Sequence, residues 1–256
     1  MANTIIARLK PIKSFLSRQR YQLPERLKAL RRAGARVLAS PLQPYAGICA
    51  LTERLEFTPE LVIMNYCQGR FPLGRRSGSI EWDDPDPRGV LFVRDFHAPK
   101  RVQQYAKNKA FDIRTNTAFR EVMLGCAERS VTWISPTIIA VYGELHAMGI
   151  AHSIEAWQDG QLVGGGFGIS IGGMFALESL FYRVSQASKV AILSLAELLK
   201  ANHIEFIDCQ YASDHMMQFG AIPVPREDYK KLLARAIIAP VRFDPHALVG
   251  QASPPA

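Results

Sequence analysis

The chain has 256 residues, 48% of them hydrophobic, with a mean hydropathy of -0.01 and a formal net charge of +8. That apolar content builds one large core or two modest ones and excludes a disordered chain, while no apolar run approaches the ~20 residues of a membrane-spanning helix. Cys49, Cys67, Cys126 and Cys209 are scattered, without a CxxC pair, zinc spacing or a secretory leader, and read as reduced thiols of a cytoplasmic protein.

The positive charge is concentrated at the start. Residues 1–36 hold ten Lys or Arg against one acid, Glu25, so the rest of the chain is close to neutral. Such an arm suits a phosphate-rich partner. A solvated tail and a basic targeting peptide are the competing readings.

From Thr58 the pattern Pro59, Leu61, Val62, Met64, Tyr66 predicts a short helix, capped by Thr58, with Pro59 in the first turn and a stop at Gly69. Residues 71–88, with Pro72, Pro85 and Pro87, read as a linker or binding loop, and Gly89–Val93 as a strand opening a second domain. Helices are expected at about Thr117–Glu128 and from Ser135 to Gly149. The second has Ser135 as cap, Pro136 in the first turn and an apolar face of Ile138, Ile139, Tyr142 and Leu145. Between them, Val131-Thr132-Trp133-Ile134 reads as extended. Ser153–Trp157, Leu162–Ile171 and Met174–Tyr182, separated by Asp159-Gly160 and Gly172-Gly173, form an antiparallel meander. A helix over about Gln186–Ala201 and a strand over Phe206–Gln210 follow, and the chain from Pro240 reads as a loose, proline-rich tail. The order predicts a mixed α/β (α+β) domain.

Three clusters carry candidate chemistry. Glu178 is a carboxylate within the apolar run Phe175–Tyr182 and needs either a partner or an exposed strand face. Asp208 and Gln210 alternate about Cys209 and share a face. Gln210 accepts and donates hydrogen bonds without ionising, and Asp208 either orients it or meets an amine proton; a strand-end pair satisfying backbone is the plain alternative. Arg183–Lys189 spans a strand end and a helix start, a place suited to phosphate. Gly164, Gly165, Gly166 and Gly168 sit inside a strand with no following helix and Lys-Ser/Thr, so they mark close packing or ligand room rather than a nucleotide loop.

The stretches Gly69-Arg70-Phe71-Pro72, Pro85-Asp86-Pro87-Arg88, Thr132-Trp133-Ile134, His152-Ser153-Ile154-Glu155, Leu162-Val163-Gly164-Gly165, Glu178-Ser179, Ala187-Ser188-Lys189 and Ile207-Asp208-Cys209-Gln210 occur in order between Thr58 and Leu233. This series resembles the leucyl/phenylalanyl-tRNA–protein transferases. The resemblance implies a basic extension over 1–40, a small N-terminal domain over 41–87, an acetyltransferase-like (GNAT-type) domain over 88–240 and a tail over 241–256. It implies a monomer using aminoacyl-tRNA and an acceptor protein with a basic N-terminal residue, as in the N-degron route, with no cofactor, metal or membrane. It casts Glu178, Asp208 and Gln210 as the reacting centre; Tyr66, Trp133, Phe175, Leu177, Ser179 and Leu180 as substrate-binding; and Arg183, Ser188 and Lys189 as tRNA-binding, to which the charge of the arm adds Arg31 and Arg32.

The chain departs from the family pattern at Leu73, Asp83-Asp84, Leu177 and Leu180, where tryptophan, Trp-Ser, glycine and methionine are usual, and it lacks the usual Gly-Gly-Asp opening. If Leu177 lines the aminoacyl pocket, phenylalanine is expected to lose ground to leucine or methionine. An acyl-CoA-dependent N-acetyltransferase of the same fold is one rival, although Arg183–Lys189 has no glycine for a pyrophosphate loop. A non-catalytic tRNA-binding relative is the other.

Overall fold

The computed structural model describes residues 57–75 and 79–247. The basic arm with Arg31 and Arg32, Cys49, and residues 248–256 lie outside them. The chain divides into two units, Met1–Leu61 and Val62–Ala256, and the elements below belong to the second apart from the first residues of α1.

The predicted first helix is α1, Pro59–Tyr66, with the Thr58 hydroxyl accepting from the Leu61 amide at 3.3 Å. The expected loop after it is instead a β-hairpin, β1 Phe71–Gly74 and β2 Ile80–Asp83, with Pro72 opposite Trp82. Proline is compatible with a two-stranded sheet because every strand there has a free edge. Strand β3, Arg88–Phe92, starts one residue earlier than expected and gives way to a 3-10 turn at Val93–Asp95. Helix α2, Lys100–Lys107, and strand β4, Asp112–Thr115, have no counterpart in the sequence reading. The remaining elements are α3 Phe119–Ala127, α4 Pro136–Ala147, β5 Ala151–Gln158, β6 Gln161–Ile171, β7 Met174–Tyr182, α5 Ala187–Ala201, β8 Phe206–Gln210, α6 Asp214–Met217, β9 Ile222–Val224 and α7 Arg226–Ala236. Ser135 caps α4 as expected, its hydroxyl accepting from the Ile138 amide. Residues 131–134 form a bend, not an extended segment.

Seven strands make one mixed sheet in the order β4-β5-β6-β7-β8-β3-β9. Each pairing is antiparallel except β7 with β8, so the order read from sequence holds at the α+β level. Helices α2 and α5 close an apolar core containing Val102, Phe175, Leu177, Val190, Ile192 and Leu195. On the other face, Phe119, Tyr142 and Phe167 meet edge to face under α3 and α4. The glycines of β6 permit close packing: a Cβ on Gly164 would stand 2.6 Å from that of Ala187, at the start of α5, and one on Gly168 2.4 Å from the Phe175 ring. The expected loose tail is corrected over residues 240–247. Phe243 is buried against His152 and Phe175, and Asn202 and Asp244 exchange hydrogen bonds. Cys67, Cys126 and Cys209 are free thiols, and no helix among the described residues is long and apolar enough to cross a membrane.

Candidate active site

The site forms where the one parallel pair stops pairing. Registers Met174 to Phe206, Phe175 to Ile207 and Ala176 to Asp208 are the last pairings between β7 and β8, yet β7 runs on to Tyr182. Strand β8 ends at Gln210, so the carboxyl ends of the parallel pair, the usual ligand position in sheets with parallel strands, fall at Glu178 and Gln210.

A bulge in β7 falls at the carboxylate itself. On β6, Phe167 pairs with Ser179 and its neighbour Gly168 with Leu177, which leaves Glu178 as the extra residue. An inserted residue breaks strict alternation, so side chains on either side of it change face. Phe175 and Leu177, before the bulge, both face the core under α5 by simple alternation and Glu178 reaches Tyr142 on α4; past the bulge Ser179 stays on the Glu178 side, and Leu180 returns toward the α5 core.

Glu178 is buried, with 6% of its surface exposed, and accepts three hydrogen bonds. Tyr66 on α1 donates to Oε1 at 2.5 Å, Gln210 Nε2 donates to Oε2 at 3.1 Å, and Tyr142 donates to Oε2 at 3.3 Å. The two phenol oxygens lie 3.0 Å apart. Burial pushes the Glu178 carboxyl up to about 8; the charge of Asp208 adds to this, and the three donors pull the other way. Burial, reinforced by the charge of Glu178, also holds both phenols well above their ordinary value.

Asp208 occupies a different role from its neighbour. It has no exposed surface. Its Oδ1 accepts from Arg88 Nε at 2.7 Å and from the Gln210 amide at 2.9 Å, and its Oδ2 accepts from Arg88 Nη2 at 2.7 Å and from Tyr229 at 2.8 Å. A carboxylate offers about four acceptor positions, and these donors take all of them. With these positions filled Asp208 has none left for an amine proton, and its bond to the Gln210 backbone amide is compatible both with orienting Gln210 and with the plain strand-end pairing. Gln210 has a φ of +63°, a conformation that costs a non-glycine residue about 1 kcal/mol or more and that its bond to Asp208 helps to hold.

The other expected residues divide. Tyr66 and Ser179 stand with Glu178 as described. Phe175 and Leu177 lie in the α5 core at 2% and 6% exposure, on the opposite face from Glu178, and half-buried Leu180 packs against that core. Trp133 is half-buried on the bend before α4, its carbonyl so close to Gly74 that a Cβ there would meet it at 2.2 Å. Arg183 is exposed and paired with Glu128 at 2.8 Å, Lys189 donates to Gln218 at 3.1 Å, and Ser188 is buried at the start of α5, away from any phosphate in solvent. Sequence reasoning passed over Tyr142, Arg88 and Tyr229 as site residues. For Tyr142 the signal was present: a tyrosine on an apolar helix face buries a hydroxyl that needs a partner. Among the described residues no cluster of His, Cys, Asp and Glu could hold a metal ion.

Comparison with known proteins identifies the family. A family model described as leucyl/phenylalanyl-tRNA protein transferase matches residues 90–234. Proteins named leucyl/phenylalanyl-tRNA–protein transferase are similar at 44% identity in Herpetosiphon aurantiacus, covering 75% of this chain and 100% of that one. The Salinibacter ruber protein of that name is 43% identical over 71% of this chain and 81% of its own, and the Gloeobacter violaceus protein 43% identical over 73% and 97%. A solved structure of a conserved protein from Staphylococcus epidermidis overlaps 54% of this chain and 57% of its own, at 9% identity and a TM-score of 0.37, too low to carry an argument about fold.

Proposed function

The chain belongs to the leucyl/phenylalanyl-tRNA–protein transferase family and moves an aminoacyl group from tRNA to protein; from that premise we propose that the transfer takes place at Glu178 and Gln210, with Asp208 orienting Gln210. The observation that carries the assignment is the Gln210 to Glu178 hydrogen bond at 3.1 Å, made beyond the last paired residues of β7 and β8. The donor is leucyl-, phenylalanyl- or methionyl-tRNA, and the acceptor is a protein with N-terminal Arg or Lys, marked in this way for degradation in the cytoplasm. The single parallel pair parting within an otherwise antiparallel sheet supports the acetyltransferase-like description of this domain.

An aminoacyl ester is already activated, so the protein has to position it and manage one proton. The acceptor's α-amine attacks the ester carbonyl carbon, the new C–N bond forms, and the C–O bond to the terminal ribose breaks. The ribose oxygen leaves as a hydroxyl, carrying one proton from the nitrogen. An α-ammonium arriving from solvent must first lose another, and its ordinary range of 7.7–8.0 lies beside the value of about 8 for Glu178. Proton transfer between them is therefore close to thermoneutral, the condition under which acid–base catalysis works best. The two phenol protons are committed to Glu178, whereas the Gln210 carboxamide gives it one N–H and has a second to offer the developing oxyanion.

The test is incubation of the purified protein with labelled Leu-, Phe- or Met-tRNA and peptides beginning with Arg, Lys or Glu. Label is expected on the Arg and Lys peptides alone. Equal labelling of the Glu peptide overturns the acceptor assignment, and no labelling of any peptide favours a tRNA-binding relative without this chemistry.

A further inference from the structure

Arg88 touches neither the acceptor nor the ester in this reading, yet it is tied to both arms of the Glu178 constellation. Its side chain is fully buried, and all of its polar contacts are internal. On one side Nε and Nη2 grip the two oxygens of Asp208, each at 2.7 Å. On the other, Nη1 donates to the Gly69 carbonyl at 2.8 Å. The rings of Phe71 and Tyr229 cover the guanidinium at 4.8 and 4.6 Å from their centroids. Burial opposes its charge, but the neighbouring Asp208 outweighs it and holds the guanidinium above its ordinary range.

Each grip leads to a donor on Glu178. Gly69 lies three residues beyond Tyr66, in the turn that ends α1 with a φ of +82°, and a Cβ there would meet the Tyr229 ring at 3.0 Å. Asp208 holds the amide of Gln210 in its left-handed conformation, from which the carboxamide crosses to Glu178. Tyr66 and Gln210, which come from distant parts of the chain, are thus referenced to one planar guanidinium. An ion pair kept only for stability is a weak explanation, because a buried pair is often no better than an apolar replacement of the same volume.

We infer that Arg88 is a positioning residue for aminoacyl transfer: through Gly69 on one side and Asp208 on the other, it sets the spacing between the Tyr66 hydroxyl and the Gln210 carboxamide around Glu178. The inference rests on the reading of Glu178 and Gln210 as the reacting centre. A lysine at this position keeps the charge and loses the fork, so it cannot grip Asp208 with two donors and Gly69 with a third.

The experiment compares the full chain with Arg88→Lys, Tyr229→Phe, Glu178→Ala and Gln210→Ala. Melting temperature, kcat, and KM for each substrate are measured with Leu-tRNA and a peptide beginning with Arg, at a temperature where every variant is folded. Arg88→Lys is expected to lower kcat about 10- to 100-fold, with KM for both substrates within about twofold of the wild type. Tyr229→Phe removes a single donor to Asp208 and leaves the ion pair. It serves where Arg88→Lys does not fold, and is expected to lower kcat by about threefold or more with KM unchanged. A folded Arg88→Lys with wild-type kcat overturns the inference, as does a rise in KM that accounts for the whole loss; Tyr229→Phe is read by the same rule if it stands alone. Loss of activity in Glu178→Ala and Gln210→Ala beside an active Arg88→Lys rejects this inference alone. Full activity in both alanine variants rejects the reacting centre and the inference with it.

Discussion

Glu178→Gln converts the buried carboxyl into a neutral group of the same shape, and the structure sets how its effect on stability varies with pH. The carboxyl titrates at about 8 in the folded chain against an ordinary value of 4.5. Between these values the folded state holds a proton that the unfolded state has released, so wild-type stability falls as pH rises through the window and levels off above about 8. The slope is about 1.4 kcal/mol per pH unit. Full development across the window gives roughly 5 kcal/mol as an upper bound, and strong coupling to Tyr66, Tyr142 and Gln210 lowers the working figure to about 2–5 kcal/mol. The Gln variant has no such slope, and every other titrating group is common to both proteins. The melting temperature of Glu178→Gln minus that of the wild type is therefore expected to grow by roughly 4–20 °C between pH 5 and pH 9. Thermal unfolding by circular dichroism across that range measures it. A difference that stays flat, or shrinks as pH rises, refutes the burial argument and with it the match between Glu178 and an α-amine.

Glu178→Ala should lower single-turnover transfer by about 10²–10⁴-fold with the fold retained, and Gln210→Ala should also fall well below wild type; wild-type turnover in both, at saturating substrate, removes them from the reacting centre. Deleting residues 1–36 is expected to weaken tRNA binding evenly across tRNA sequences and to flatten the slope of log K against log salt by about 0.7–0.9 for each phosphate the arm neutralises. An unchanged slope makes that arm a tail or a targeting segment. Leu177→Gly should cost about 2–5 kcal/mol in urea unfolding, because the side chain fills the core under α5. The ratio of Phe to Leu transferred should stay the same in that variant, and a changed ratio would return Leu177 to the aminoacyl pocket.

That last expectation reverses the one drawn from sequence, and the reversal marks where legibility ended. Periodicity and turn chemistry carried the meander, α4 with its Ser135 cap, α5 and β8, because each of those signals lies within one segment. The hairpin from Phe71 to Asp83 was hidden by prolines that a two-stranded edge tolerates. The eight-residue α2 and four-residue β4 were too short for a period to show. Glu178 was conspicuous as a carboxylate in an apolar run, whereas Tyr142 passed as an ordinary apolar-face residue, since a phenol satisfies a hydrophobic pattern and conceals its hydroxyl; Tyr66 was named only through the family resemblance. The decisive feature belongs to neither class. Alternation alone points Leu177 away from Glu178, but that Ser179 keeps to the Glu178 side and Leu180 turns to the core depends on one unpaired residue in the register between β6 and β7, and register is a property of two strands together. The same holds for Arg88, whose meaning comes from partners 19 and 120 residues away. Residue chemistry could nominate the acid; only pairing across the sheet could say which side chains surround it, and the pH slope of Glu178→Gln tests that enclosure directly.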